Sequence, residues 1–263
     1  MRRARAGAGF GLVDLIFVGL LAATAGALAS HFAPPPPPRD VAALRARYGP
    51  ERHSQFYEEW IIRDFFQDKR GGVFVDVGAN HHERFNNTYY LEARLGWSGL
   101  AVEPLREFEA GYLQHRPRTR FKPFFVSDRS HATALLNVLP SQPLVSSETK
   151  SFTQQWGAGT TELTVPTSTL DDLLDAEGIE AIDLLSMDIE LAEPKALAGF
   201  SIERFKPALV CIEAHAEVRQ HLLDYFHMHG YVVVGKYLEA DRVNLYFMPA
   251  GSNVQVRQTR HSQ

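Results

Sequence analysis

The chain has 263 residues, 45% hydrophobic, 22% charged and 11% aromatic, which describes a globular protein and excludes disordered and fibrous classes. A formal net charge of −4 and a pI near 6.3 exclude the basic footprint of a general nucleic-acid binder. The single cysteine, Cys211, excludes an internal disulfide and any Cys-rich zinc module. Lying in the apolar run Ala208–Glu213, it reads as core packing.

Arg2, Arg3 and Arg5 precede an apolar run over 10–29 whose only charge is Asp14. A helix of that length covers about 30 Å, the thickness of a hydrocarbon core. Asp14 stands near the end of the span, where a carboxylate reaches the headgroups. Two readings stand here: a single-pass membrane anchor, or a cleaved signal peptide, because Ala27-Leu28-Ala29 fits the small-residue cleavage pattern. Pro34 to Pro38 predict a stiff polyproline II spacer. The expected organisation is therefore an N-terminal hydrophobic segment over 1–29, a Pro-rich linker over 30–53, a folded domain over 54–250 and a polar tail over 251–263.

From Ser54, Phe56, Tyr57, Trp60, Ile61 and Phe65 recur at helical spacing until Gly71-Gly72. Thereafter strand-like and helical runs alternate. Val73–Val77 reads as a buried strand, Thr88–Leu95 as a helix, Gly99–Glu103 as a strand and Leu105–Gln114 as a helix. Phe121–Val126 is the next strand, with an extra strand over Ala132–Leu139 and a polar surface loop over 140–160. Thr169 caps a helix carrying Asp171 and Asp172 in its first turn. Ile182–Asp188 reads as a strand, Pro194 opens a helix, Ala208–Glu213 is a strand, and Val218–His229 is a helix closed by Gly230. Two β runs, Tyr231–Tyr237 and Val243–Met248, end the pattern; they are too close for a helical crossover and must be antiparallel. The alternation predicts an α/β fold with a mostly parallel sheet covered on both faces.

In such a sheet, ligands bind beyond the carboxyl ends of the strands. The first strand ends in Asp76, Gly78 and Asn80, the second in Glu103-Pro104, the third in Ser127-Asp128. A glycine lets the backbone turn close to a ligand, a carboxylate after the second strand can accept both ribose hydroxyls, and Asp128 can meet a base amine. Three polar strand ends in succession suit a nucleoside. No G-x-G-x-x-G is present, and His81 and His82 stand where a pyrophosphate cradle needs bare backbone, which handicaps a nucleotide-dependent oxidoreductase.

Several segments together resemble the FkbM-type methyltransferases. They are Phe74-Val-Asp-Val-Gly-Ala-Asn80, Asn87-Thr-Tyr-Tyr-Leu-Glu92, Gly96-Trp-Ser-Gly-Leu-Ala-Val-Glu-Pro104 and Val165-Pro-Thr-Ser-Thr-Leu-Asp-Asp-Leu-Leu174, followed by Ile182-Asp-Leu-Leu-Ser-Met-Asp-Ile-Glu190 and Val210-Cys-Ile-Glu-Ala-His215. The resemblance implies a Rossmann-like class I methyltransferase fold, a mostly parallel seven-stranded sheet with a C-terminal antiparallel pair, preceded here by the N-terminal hydrophobic helix. It implies S-adenosyl-L-methionine as cofactor and a hydroxyl of a sugar or other small metabolite as acceptor. By the same analogy Asp76, Gly78 and Asn80 line the methionine side, Glu103 holds the ribose and Asp128 faces the adenine. Two turns depart from the family pattern. Gly78-Ala-Asn-His-His82 replaces Gly-Ala-Asn-Asp-Gly, and Asp188-Ile-Glu-Leu-Ala-Glu193 replaces Asp-x-Glu-Gly-Ala-Glu.

For catalysis the residues past the later strands matter: Asp188, Glu190, Glu193, Glu213 and His215. His215, with an ordinary pKa near 6.5, is the general-base candidate beside Asp188 and Glu190. A hydrogen-bonding partner of a carboxylate is its plainer reading. Asp188 and Glu190 with His81 or His82 offer a divalent-cation set, although no recognised ligand spacing supports one, and no metal is assigned. Glu193 before Pro194, and His227 and His229 near a helix end, suit the helix dipoles. Trp97 reads as core, and Trp156 is open to stacking on a sugar. The leading expectation is a membrane-tethered O-methyltransferase with a small-molecule acceptor and no nucleic acid. The second is a non-catalytic binding domain of the same fold. The arginines ahead of the apolar run place the domain outside the cytoplasm by the positive-inside bias, whereas a cytosolic cofactor favours the opposite side.

Overall fold

A computed structural model describes residues 39–252 of the chain. The apolar run over 10–29, the proline run and most of the polar tail lie outside the described residues. Among the described residues, no helix is long and apolar enough to cross a membrane.

Among the described residues there are ten strands and nine α-helices. Helices α1 (Arg39–Tyr48) and α2 (Glu58–Phe66) precede β1 (Val73–Val77), α3 (Tyr89–Leu95), β2 (Ser98–Val102), α4 (Glu109–His115) and β3 (Thr119–Lys122). Then come β4 (Phe125–Val126), β5 (Thr133–Val138), α5 (Lys150–Gln155), β6 (Thr161–Ser168) and α6 (Leu170–Ala176). The chain continues through β7 (Leu184–Met187), α7 (Glu193–Ala198), α8 (Ile202–Phe205), β8 (Leu209–Glu213), α9 (Ala216–Met228), β9 (Tyr231–Val233) and β10 (Asn244–Pro249).

The main sheet runs β3-β2-β1-β7-β8-β10-β9. The first five strands in that order pair in parallel, β10 runs antiparallel to β8, and β9 antiparallel to β10. This is the seven-stranded sheet with an antiparallel C-terminal pair that the sequence predicts. Side chains alternate across β1: Val75 and Val77 join the core cluster with Leu185, Met187 and Phe226, while Phe74 joins the other with Trp60, Leu91 and Trp97. Cys211 and Trp97 are buried core residues, as expected.

Several elements depart from the sequence reading. The expected linker over 30–53 contains α1, which seats Val41 and Leu44 in the core beside Trp60. The helix expected from Ser54 starts at Glu58, because Ser54 and Glu58 side chains accept the N–H groups of Glu59 and Phe56 and turn the chain before it. It ends at Gln67 rather than Gly71, since Gln67 and Asp68 both take left-handed φ of 52°. The strand expected over Phe121–Val126 breaks at Pro123, which has no N–H to give a ladder. Its second half, β4, leaves for a separate sheet of order β4-β6-β5. The strand β6 follows a segment read only as loop, and that loop itself holds α5.

Order reverses at β1: β2 and β3 lie to one side, β7 and β8 to the other. The crevice at that switch point is held open by Arg116 at the end of α4. Its guanidinium, 1% exposed, pairs with Glu92 on α3 and donates to the carbonyl of His82 (2.8 Å), to Asn86 (3.2 Å) and to the Thr88 hydroxyl (3.2 Å). Thr88 in turn donates to Asp76 on β1 at 2.8 Å. The turn between β1 and α3 is thus clamped to a buried charge. Breaking such a pair strands the remaining ion, so Glu92→Ala is expected to lower stability by about 3–5 kcal/mol, read by urea unfolding. A loss under about 1 kcal/mol would mean that the clamp is not the support described.

Candidate active site

Gly78 follows β1 with φ of 79°, and a Cβ there would stand 1.8 Å from the carbonyl oxygen of Asp188, which follows β7. No other residue permits this approach. The close contact is shared by two hollows. One, of about 450 Å³ counting its open mouth, is bounded by Gly78, Asn80, Glu103 and Glu190 with apolar walls from Phe124, Leu136 and Leu144. The other, of about 330 Å³, is polar: Gln55, Glu58, Asp76, Asn87, Ser186 and Asp188 line it.

Glu103 is 5% exposed, and its two oxygens accept the N–H groups of Asn80 (3.2 Å) and Leu105 (2.9 Å). Burial nevertheless pushes its pKa up to about 7. Burial likewise raises Asp76 to about 6, against the Thr88 hydrogen bond. Asn80 has a left-handed φ of 47°, which asparagine tolerates better than most residues. Asp76, Gly78, Asn80 and Glu103 therefore converge at the switch point.

Asp128 does not. It is exposed and lines neither hollow, with its carboxyl held below the usual range by the Ser127 hydroxyl (3.0 Å) and then by Arg129 (3.5 Å). The break at Pro123 redirects the chain, so the hollow meets Phe124, Phe125 and Val126 instead of this carboxylate.

The histidine pair also stays out of both hollows. His82 stacks between His81 (centroids 4.2 Å apart) and His115 (4.8 Å), and its ring occupies the space left by Gly111, where a Cβ would lie 2.4 Å from Nδ1. His81 accepts the N–H groups of Glu83 and Arg84 at 3.1 Å, and burial pushes its pKa down to about 4. The cation set of Asp188 and Glu190 with this pair is therefore not assembled.

At the ends of β7 and β8 the acidic residues do gather. The His215 Nε2 lies 3.2 Å from Glu190 Oε2 and 3.1 Å from Glu213 Oε2. The hydrogen bonds to Glu190 and Glu213 outweigh partial burial and raise its pKa to about 10. A ring that keeps its proton at neutral pH does not serve as the general base assigned from sequence. Burial, then the adjacent Glu213, pushes Asp188 well above the carboxylate range. Burial also lifts Glu190 and Glu193 to about 7 and Glu213 to about 6. Glu193 accepts the Ile189 N–H at 3.1 Å, beyond the dipole role expected for it. His229 pairs with Glu203, and Trp156 is 47% exposed beside Phe152, which meets the His215 ring edge-on.

Gln55, Glu58, Asn87 and Ser186 were not singled out from sequence. Gln55 and Glu58 lie on the N-terminal side of β1 with no motif around them, and Ser186 looks like any small strand residue. Asn87 and Ser186 carried a signal only as members of family-like segments.

Of the two family glycines that this chain lacks, one leaves strain. Leu191 takes φ of 79°, while His82 is not among the residues of positive φ. Leu191 also packs against the core, so truncation loses burial either way. The glycine variant avoids the left-handed penalty, which reverses the usual order of alanine over glycine. Leu191→Gly is expected to be more stable than Leu191→Ala by about 1 kcal/mol in thermal or urea unfolding.

The profile of the Methyltransferase FkbM domain matches residues 76–233. No curated protein matches the chain. Among solved structures, the chain is similar to a SAM-dependent methyltransferase from Geobacter sulfurreducens in complex with S-adenosyl-L-homocysteine, with 12% identity over 78% of each chain and a TM-score of 0.38. It is similar to the O-methyltransferase from Bacillus cereus at 10% identity, covering 87% of this chain and 94% of that one, with a TM-score of 0.37. The O-methyltransferase TomG from Streptomyces achromogenes is similar at 8% identity, with coverage of 88% and 96% and a TM-score of 0.39.

Proposed function

The chain belongs to the FkbM methyltransferase family, and from that premise we propose that it is an S-adenosylmethionine-dependent methyltransferase acting on a hydroxyl of a sugar or other small metabolite. The observation that carries this reading is the pair of hollows meeting across the Gly78–Asp188 contact, one mixed with apolar walls and the other polar. The first offers apolar walls for a flat base and a carboxylate at its side for ribose hydroxyls. The second offers the Asp76, Glu58 and Asp188 carboxyls for an ammonium, and the Gln55 and Asn87 amides for a carboxylate. An adenosyl amino acid has those parts in that order, and no pyrophosphate to be cradled.

S-adenosylmethionine, when bound, supplies a methyl group made electrophilic by a sulfonium. The protein's share is placement and charge. Glu103, fixed by two backbone N–H groups, presents its remaining lone pairs to hydroxyl donors without reorganising. Asp76 is fixed by Thr88, and Asn87 by its bond to the Ser186 hydroxyl at 3.1 Å. Asp188 and Glu190 stand beside the junction, where a sulfonium would favour their ionised forms.

Tethering to a membrane through residues 10–29 belongs to the same proposal. It rests on the apolar run and the preceding arginines. Alkaline extraction of membranes from cells expressing the full chain tests it: release into the soluble fraction would refute an anchor.

Calorimetric titration with S-adenosylhomocysteine tests the cofactor reading, and absence of heat and of any thermal shift at millimolar ligand would sink it. Transfer of labelled methyl from the cofactor into a metabolite extract tests the reaction. Glu103→Ala is expected to weaken cofactor binding by about 1.5–3 kcal/mol, the worth of a charged hydrogen bond, and Asp128→Ala by less than about 0.5 kcal/mol. Equal effects would show the ribose to be misplaced.

Hydroxyl donors favour ionised Glu103, so binding below its folded pKa of about 7 must expel a proton. Affinity is therefore expected to rise from pH 6 to pH 8. The unliganded protein should show the opposite trend in stability. The folded state keeps protons on Glu58, Asp76 and Glu103 that the unfolded state has already lost above its lower pKa, so stability falls as pH climbs toward 7.

A further inference from the structure

We propose that Glu190, Glu213 and His215 form a binding site for a divalent cation of the manganese class at the carboxyl ends of β7 and β8. One ligand atom from each residue lies within 4.8 Å of the others. The Nε2 to oxygen separations of 3.2 and 3.1 Å match the edges, about 3.0–3.4 Å, of a coordination polyhedron whose bonds are about 2.1 Å.

A second observation, independent of that spacing, is that the cluster holds more carboxyl groups than its one imidazole can pair. Glu213 is 7% exposed, and its Oε2 shares with Glu190 the one N–H of His215 Nε2, 3.1 Å away. The single Nε2–H stands between two carboxylate oxygens and cannot be collinear with both. Asp188 adds a further carboxyl against Glu213, and the buried Oε2 of Glu193 is without a partner. Among the described residues, no lysine or arginine forms an ion pair with Asp188, Glu190, Glu193 or Glu213. Carboxylates removed from water require such compensation. A cation bound to Glu190 and Glu213, with neutral His215 as the third ligand, would provide it.

The ligand set decides the class of ion. Two carboxylates with one imidazole suit manganese, iron or zinc better than magnesium, which prefers oxygen and water alone. The backbone around the ligands is held in place. Glu213 ends a central strand, His215 precedes the first turn of α9, and the Glu190 carbonyl accepts the Ser147 hydroxyl at 2.7 Å. The His215 and Glu190 side chains, 27% and 13% exposed, leave one side of the cluster accessible to an exchangeable ligand. Glu190 also borders the larger hollow. An acceptor hydroxyl bound to the ion would therefore stand at the donor site and lose its proton to water more readily.

The test uses the full chain, stripped with chelator and titrated with manganese(II) chloride, the free ion being followed by its electron paramagnetic resonance signal. One saturable site per chain is expected. Glu213→Gln and, separately, His215→Gln should each weaken it at least about tenfold. Glu83→Gln, an acidic residue paired with His53 at 3.8 Å, should leave it unchanged. Calorimetry with S-adenosylhomocysteine on the same variants reports the fold and the donor hollows without involving the ion. Retained S-adenosylhomocysteine binding with no saturable manganese site at millimolar metal would overturn the cation site alone. Manganese affinity unchanged in both variants would overturn it equally.

Discussion

The site depends on one buried charge. Arg116 reaches from the end of α4 to the turn after β1, where it satisfies the His82 carbonyl, Asn86 and Thr88 while Glu92 balances its charge. The network extends further: Asn86 donates to the Ala79 and His81 carbonyls, and Tyr112 also reaches Ala79. A turn with no regular secondary structure must have its backbone groups paired one by one. Here that pairing is supplied by Asn86 of the turn itself and by Tyr112 and Arg116 at the end of α4, with Glu92 of α3 holding Arg116, so both crossover helices fix the loop that carries Asn80 and flanks Gly78. The two histidines that replace a more usual turn are absorbed by the same arrangement, their rings packed outward against α4.

The second constraint is steric. Gly78 and the Asp188 carbonyl meet more closely than any side chain would allow, which brings the ends of β1 and β7 together and divides the crevice in two. Beyond Asp188 the chain passes through consecutive left-handed residues, Glu190 and Leu191. Such conformations cost about 1–3 kcal/mol each and persist where surrounding contacts demand them. The demand here is visible: Glu190 must face His215, and Leu191 must return its side chain to the core.

Electrostatics separates the two regions around that contact. At β1 and β2 the carboxyls are individually held by N–H or O–H donors, as Asp76 and Glu103 illustrate. At β7 and β8 four carboxyls crowd around one imidazole, and burial raises every one of them. The first arrangement suits recognition of hydroxyls and amines. The second gathers acidic groups at the junction of the hollows, where a sulfonium or another cation would favour their ionised forms.

Much of this was legible from residues alone. Apolar runs such as Val73–Val77 and Leu209–Glu213 can be satisfied only in a sheet buried on both faces, and strand-end chemistry at Asp76, Gly78, Asn80 and Glu103 follows from local pattern. The sequence by itself determined the α/β alternation, the antiparallel final pair and those four positions, because short-range periodicity and turn chemistry encode them. The tertiary structure alone decided the rest. The break at Pro123 carried Asp128 away from the crevice, the N-terminal helices brought Gln55 and Glu58 into it, and Glu190 and Glu213 converged on His215 so that it keeps its proton. Each of these outcomes depends on which distant groups surround a side chain, and burial and charge at a point in space are sums over such neighbours.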